Sequence, residues 1–312
     1  RGNPMIKVMH VISLKTLSTI QRLFIAGLIT AGAAIAGTTT ASAGEICLAC
    51  HEEGSQLSGK LHRAHGQTAD ARSPMGSDGC ASCHGTSAAH VGKPREFPAD
   101  RLFTAKSTLT SDQKNEACIG CHTGGHQKGW SLSEHAAADI TCVSCHNIHG
   151  AVDPVQERIS QSDICLDCHT EHRANQMKFS RHPTKEGVVA CSDCHNAHGG
   201  KGPSLLTEAT VNETCYQCHT EKRGPMLFEH EPVQDNCSNC HTPHGSVNDN
   251  MLVTRAPLLC QQCHIASRHP GTNYINESEL ATLDVRLVGK SCMNCHGQVH
   301  GSNHPAGFTF RR

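Results

Sequence analysis

The chain has 312 residues, with 20 cysteines and 25 histidines but only 7 Phe, 2 Tyr and 1 Trp, and a formal net charge of −1. From Gly44 onward, Leu, Ile, Val and Phe total 43 residues, about 16% of that stretch, under the roughly 20% at which a chain lacks the apolar surface for a core of its own. An ordinary globular enzyme is thereby excluded: either the chain is unfolded, or something other than side chains fills its interior.

The first element is a secretory signal. Lys7, Lys15 and Arg22 supply positive charge, Leu23 to Gly37 is an apolar run, and Ala41-Ser42-Ala43 gives a small-x-small cleavage pattern. Residues 1–43 are therefore expected to be removed, and residues 44–312 to be exported. The alternative is an uncleaved anchor helix, although the apolar run is short for a bilayer span. No later stretch is apolar enough to cross a membrane.

The cysteines then fall into ten Cys-x-x-Cys pairs, each followed directly by a histidine. In chain order the first five are Cys47/Cys50/His51, Cys80/Cys83/His84, Cys118/Cys121/His122, Cys142/Cys145/His146 and Cys165/Cys168/His169. The second five are Cys191/Cys194/His195, Cys215/Cys218/His219, Cys237/Cys240/His241, Cys260/Cys263/His264 and Cys292/Cys295/His296. Cys-x-x-Cys-His is the attachment motif of c-type haem. Two thiols bond to the vinyl groups on one edge of the porphyrin, and the adjacent His lies beneath the ring as the proximal ligand. Structural zinc does not demand a His after every second Cys, and a disulfide framework would not repeat this spacing. The motifs predict ten covalently bound haem c groups.

Each iron then needs a second axial ligand. Beyond residue 43 there are five methionines but 14 histidines outside the motifs, so only histidine can cap ten irons, and bis-histidine ligation implies low potential. The motifs group into five two-haem units, whose first cysteines are Cys47, Cys118, Cys165, Cys215 and Cys260. In each unit one His precedes the second motif and one follows it: His65 and His90, His135 and His149, His182 and His198, His230 and His244, His269 and His300. A His three residues past a proximal ligand cannot cross to the far face of its own haem, so it must reach another haem. His62, His126, His172 and His304 are left over, with His304 and His62 as rivals to His300 and His65.

The expected fold is a multihaem cytochrome c: mainly short α-helices and loops wrapped around a chain of ten haems, with little or no β-sheet. Unit boundaries fall at about 44–110, 111–158, 159–208, 209–254 and 255–312. Thr110 to Gln113 reads as a capping box, Ser162 and Asn212 as helix N-caps three residues before their cysteines, and residues 278–288 as a surface helix. Haem binding supplies the folding free energy, so the apo chain is expected to be disordered. Propionates would make the holoprotein acidic, and neither a basic cluster nor stacking aromatics argue for nucleic acid as a partner. Six-coordinate haems suit electron transfer rather than enzyme catalysis. The rival classes are a free periplasmic shuttle and, less in keeping with ten His-terminated motifs, a multihaem reductase with one open iron.

Linker segments carry a further resemblance. They include Ser73-Pro74-Met75, Ser107-Thr-Leu109, Cys191-Ser-Asp-Cys-His-Asn-Ala-His198-Gly, Glu221-Lys-Arg-Gly-Pro225 with Glu229-His230, His241-Thr-Pro-His244-Gly-Ser-Val-Asn-Asp249, Thr254-Arg-Ala-Pro-Leu-Leu-Cys-Gln-Gln-Cys-His264 and Gln298-Val-His-Gly-Ser-Asn-His304-Pro. From Cys47 to Arg312 the chain resembles the MtrA/DmsE family of periplasmic decahaem cytochromes, whose relatives include the Pio and Mto iron-oxidation cytochromes. The region before Cys47 is shorter than in some members. The resemblance implies a periplasmic electron conduit associated with the outer membrane through a β-barrel porin. Its further partners would be an extracellular multihaem cytochrome on one side and an inner-membrane or periplasmic cytochrome on the other. Direction is open: electrons could leave toward ferric mineral or dimethyl sulfoxide, or enter from ferrous iron.

Overall fold

The computed structural model describes residues 43–51, 64–264 and 292–311. The signal segment, His62, His269 and the helix expected over 278–288 lie outside the described residues.

The helices are short, and among the described residues six of the ten α-helices carry motif residues. The first motif of every unit sits at the C-terminal end of an α-helix: Ala43–Leu48, Ser111–Ile119, Arg158–Leu166, Val211–Tyr216 and Ala256–Gln261. In units two to five the second motif instead opens on a single 3₁₀ turn, Cys142–Ser144, Cys191–Asp193, Cys237–Asn239 and Cys292–Asn294. Among the described residues there is no strand, only isolated bridges, and no helix long and apolar enough to cross a membrane.

The capping box before Cys118 forms as expected. Gln113 N–H donates to Thr110 Oγ1, and Thr110 N–H donates to Gln113 Oε1. The structure corrects the two other caps. Thr210, not Asn212, caps its helix, accepting from Glu213 N–H at 3.1 Å. Ser162 lies inside the helix that Glu157 precedes. Both side chains are buried, and at Asn212 the reason is tertiary. Its amide donates to the carbonyls of Val233 and Gln234, and its oxygen accepts from Cys237 N–H at 2.7 Å. Asn115 does the same in the second unit, donating to Ile140 and accepting from Cys142 N–H at 2.8 Å. Gln161 fills the role in the third unit, accepting from Ser192 N–H at 2.9 Å. In these three units a buried carboxamide on the first-motif helix clamps the start of the second motif, with the polar atoms of the clamp paired.

The clamps belong to an interior that is mostly polar. Among the described residues only Leu166 and Ala190 are buried apolar side chains, against thirteen buried polar ones. Leu132, Phe179, Leu227 and Phe308 are largely exposed. The side chains therefore do not form a hydrophobic core by themselves.

Consecutive units meet at the Gly that follows His198, His244 and His300. Gly199, Gly245 and Gly301 have φ of 128°, 136° and 127°, a region open to Gly and strained for other residues. A Cβ at Gly199 would meet the backbone of Gly129, and one at Gly245 would run into the Asn175 carbonyl. Bridges Ser180↔Ser246 and Phe228↔Ser302 lie beside these contacts. The close approach sets where His198, His244 and His300 stand.

Candidate haem-binding sites

All ten motifs share one local geometry. The His N–H donates to the carbonyl of the first Cys at 2.9–3.1 Å, from His51→Cys47 to His296→Cys292. One tight turn thus places two thiols and an imidazole together, which is what covalent attachment and proximal ligation require. No cysteine is held in a disulfide. Among the described residues, no three His, Cys, Asp or Glu side chains converge as a metal-ion cage, whereas structural zinc needs four ligands.

The thiols also order the sites. Within each unit the first cysteines of the two motifs are paired: Cys47 beside Cys80, and Cys118, Cys165, Cys215 and Cys260 beside Cys142, Cys191, Cys237 and Cys292. Between units, Cys83 faces Cys118 and Cys121, Cys145 faces Cys168, Cys194 faces Cys218 and Cys240 faces Cys263. Burial pushes the thiols of Cys83, Cys145, Cys194 and Cys240 up. The ten attachment sites form one unbroken series in chain order.

Seven of the motif thiols are exposed, and of these only Cys50 and Cys295 take no part in the pairing between units described above. The reason is their position. Cys50 belongs to the first motif of the first unit, with no preceding unit to face it. Cys295 belongs to the second motif of the last unit, with no following one. The motif turn alone places them: Cys50 N–H donates to the Cys47 carbonyl and Cys295 N–H to the Cys292 carbonyl, each at 3.2 Å. Their part in attachment therefore rests on the motif, and the contacts between units that support the interior thiols do not extend to them.

Nine motif histidines face a second imidazole with ring centroids 5.9–6.3 Å apart. Two imidazole nitrogens, each about 2 Å from a shared metal and about 1.1 Å from its own ring centre, give about 6 Å. The pairs are His51–His90, His84–His149, His122–His65, His146–His198, His169–His135, His195–His244, His219–His182, His241–His300 and His264–His230. They follow a rule of exchange. The His before the second motif faces the first motif of the next unit, as His65, His135, His182 and His230 do. The His after the second motif faces the second motif of the preceding unit, as His149, His198, His244 and His300 do. His90, with no preceding unit, turns back to His51.

The protons are placed for ligation. His90, His135, His182 and His230 have Nδ1 within 2.8–3.0 Å of the carbonyls of Phe97, Ala197, Pro243 and Val299. His84, His195, His241 and His296 likewise meet those of Arg101, Ser204, Asn250 and Thr309. A carbonyl only accepts, so Nδ1 carries the proton and Nε2 keeps its lone pair for a metal. Three of the carbonyl contacts tie a distal candidate in one unit to the residue just before the distal candidate of the next. Burial holds His198, His300 and His169 below the usual imidazole range and His244 down to about 4, favouring the neutral, ligating form.

The leftover histidines differ. His304 Nδ1 accepts from Ala306 N–H at 3.1 Å, which puts the proton of the neutral ring on Nε2. His126 is exposed. His172 lies 6.1 Å from His169 and 4.2 Å from His244, but only three residues past His169 and on the same stretch of chain. The facing partner of His296 is not among the described residues. Two functional features were missed in the sequence: the carboxamide clamps, signalled by Asn three residues before Cys118 and Cys215, and Asp153, which no motif marks.

Residues 182–224 and 230–269 match the family of the doubled CXXCH motif, and residues 80–162 match the cytochrome c-type protein NrfB-like family. The chain is 42% identical to the multiheme cytochrome MtrA of Shewanella baltica (strain OS185) over 279 residues, which are 88% of this chain and 83% of that protein. It is 25% identical to the cytochrome c-type protein NrfB of Escherichia coli O6:H1 over 132 residues, 41% of this chain and 66% of that one.

Proposed function

The chain belongs to the multihaem cytochrome c family of MtrA, and from that premise we propose that it carries ten bis-histidine haems as an electron conduit between the periplasm and the cell exterior. Binding of c-type haem through its Cys-x-x-Cys-His motifs and a role in electron transfer come with the family. When bound, each haem supplies a one-electron ferric–ferrous couple. The chain's part would be to hold it: paired thiols would fix one edge, and two facing imidazoles, one of them with an anchored Nδ1–H in eight of the nine described pairs, would be its ligands.

The observation that carries this reading is the exchange of histidines between units. Nine facing imidazole pairs would supply both protein ligands to nine irons, which would leave those sites no place for a substrate and supports an electron carrier over a reductase. The same rule assigns the tenth position. His269 precedes the last motif and has no following unit, so it is expected to turn back to His296, mirroring His90 and His51. Mass spectrometry should show ten haems, and electron paramagnetic resonance only low-spin iron. Replacing His269 by Ala should convert one haem in ten to high spin; ten low-spin haems in that variant would remove it from the ligand set.

The conduit itself is the further step. The attachment sites follow one another in chain order, and the first and last units would be the two exchange points of a wire. A bare polar chain cannot cross hydrocarbon, but one sheathed by a β-barrel can. We read residues 1–43 as an export signal, the barrel porin as the membrane partner, and cytochromes on either side as donor and acceptor. Liposomes containing the chain with its co-purified barrel, and ferric or ferrous iron outside, test this directly. Electron flow only when barrel and chain are both present is expected. A chain that binds no barrel yet exchanges electrons with soluble cytochromes would be a free periplasmic shuttle instead.

A further inference from the structure

A metal-bound imidazole becomes a stronger electron donor when its other nitrogen donates to a strong acceptor, and an ionised carboxylate is the strongest available. Among the second motifs of the units, His84, His195, His241 and His296 all donate to backbone carbonyls. His146 does not. Its Nδ1 lies 2.6 Å from Asp153 Oδ2. That carboxylate is 1% exposed and accepts two more hydrogen bonds, from Asn147 N–H to Oδ1 at 3.1 Å and from Gln156 Nε2 to Oδ2 at 2.9 Å.

The loops explain the difference. After His195 and His241 the chain makes a left-handed turn at Ser204 and Asn250, with φ of 53° and 55°, nine residues on, and those residues supply the carbonyls. After His146 the loop is shorter, and Asp153 enters side chain first, seven residues on. The nearest rival among the motif histidines is His219, but Glu221 stands 3.9 Å from its Nδ1, beyond hydrogen-bonding distance, and both side chains are more than half exposed.

We propose that Asp153 tunes one centre of the ten: by making His146 a more electron-rich ligand, it sets the reduction potential of the haem attached at Cys142 and Cys145 below those at the other second motifs, whose histidines are carbonyl-bound. The inference rests on reading His146 as an axial ligand. The couple concerned takes up one electron at iron, supplied by an adjacent haem, and moves no proton, because the shared hydrogen stays on Nδ1. Asp153 acts through His146 and is a positioning and tuning residue. Its effect is a step in the potential profile within the second unit, one the uniform motifs conceal.

Two variants of the holoprotein test it with opposite signs, read by optical redox titration alongside haem mass and spin state. Asp153→Asn removes the negative charge. One tenth of the haem absorbance should move to higher potential, with a roughly tenfold change in the ferric-to-ferrous ratio at fixed potential, about 59 mV. Gln156→Leu removes a donor that competes for Oδ2, leaving more charge on His146, and the same tenth should move downward. Ten low-spin haems with an unchanged titration in Asp153→Asn would overturn the proposal, as would both variants shifting the same way. Should Asp153→Asn lose haem, Gln156→Leu decides alone: a downward shift supports the proposal, and no shift or an upward one overturns it. If His146→Ala leaves ten low-spin haems, His146 is not an axial ligand, and the proposal falls with that assignment.

Discussion

Asn212 accepts the backbone N–H of Cys237 at 2.7 Å across 25 residues of chain, and its amide donates back to Val233 and Gln234. This one buried side chain holds the second motif of the fourth unit against the helix that carries the first. It also explains why the Cys215 and Cys237 thiols touch. Replacing Asn212 by Leu keeps the volume and removes all three bonds, leaving a buried N–H and two carbonyls to find other partners. The expected loss is about 1–3 kcal/mol of stability. Denaturant unfolding of the holoprotein would measure it, with haem content unchanged by mass. A variant as stable as the parent would show that covalent attachment alone holds the unit together.

Gly245 is the second such joint, between units rather than within one. Its φ of 136° and the Asn175 carbonyl against its α-carbon leave no room for a methyl group. Gly245→Ala should cost about 1–3 kcal/mol from backbone strain, and more from the displaced contact. Because His244 is the preceding residue, its ring should withdraw from the position facing His195. The readout is a high-spin signal equivalent to one haem. Loss of stability with every haem still low-spin would confine Gly245 to a packing role.

The attachment sites and the fold class were legible in the sequence because covalent chemistry fixes Cys-x-x-Cys-His within one turn. The supply of candidate histidine ligands was legible as arithmetic. Which histidine faces which motif was not, because the exchange joins residues such as His182 and His219 through contacts between units, and no local pattern encodes it. For the same reason ten identical motifs hide which thiols meet a thiol of the neighbouring unit. The capping rule failed at Asn212 on similar grounds. Local propensity favours Asn at a helix start, but a tertiary partner, Cys237, claims its side chain. The offset shared by Asn115 and Asn212 was the readable trace of that role. Asp153 left no trace, since one acidic residue in one loop has no periodicity to reveal it.

The Arg181–Glu186 pair gives a pH prediction. Arg181 Nη1 and Nη2 reach the two carboxylate oxygens of Glu186 at 2.9 and 2.7 Å, beside His182. The guanidinium holds the Glu186 carboxyl at about 2, against an ordinary value of about 4.3. The folded value lies below the unfolded one, so the contribution is present above about pH 4.3 and is lost as pH falls toward about 2. The carboxylate is solvent-exposed, so the effect is small. Glu186→Gln should lower the melting temperature slightly near neutral pH and leave it unchanged at the acid end. A difference that grows on acidification would reverse the sign and exclude this account.

His244 offers the sharpest test of the ligand exchange. It is neutral, its pKa held down to about 4 by burial, and its ring faces His195 at 6.0 Å from the neighbouring unit. Met is about as long and can ligate iron through sulfur, and a Met ligand raises the potential relative to His. In His244→Met the ten haems should remain attached, since no cysteine is touched, and one tenth of the redox titration should move to higher potential. His198→Met and His149→Met should each do the same at the centres of His146 and His84. His126→Met is the control: its ring is exposed and faces no motif histidine, so the titration should not change. If His244→Met titrates like the parent while keeping ten low-spin haems, the imidazole facing His195 is not its axial partner. His172, 4.2 Å away, would then be the residue to replace next.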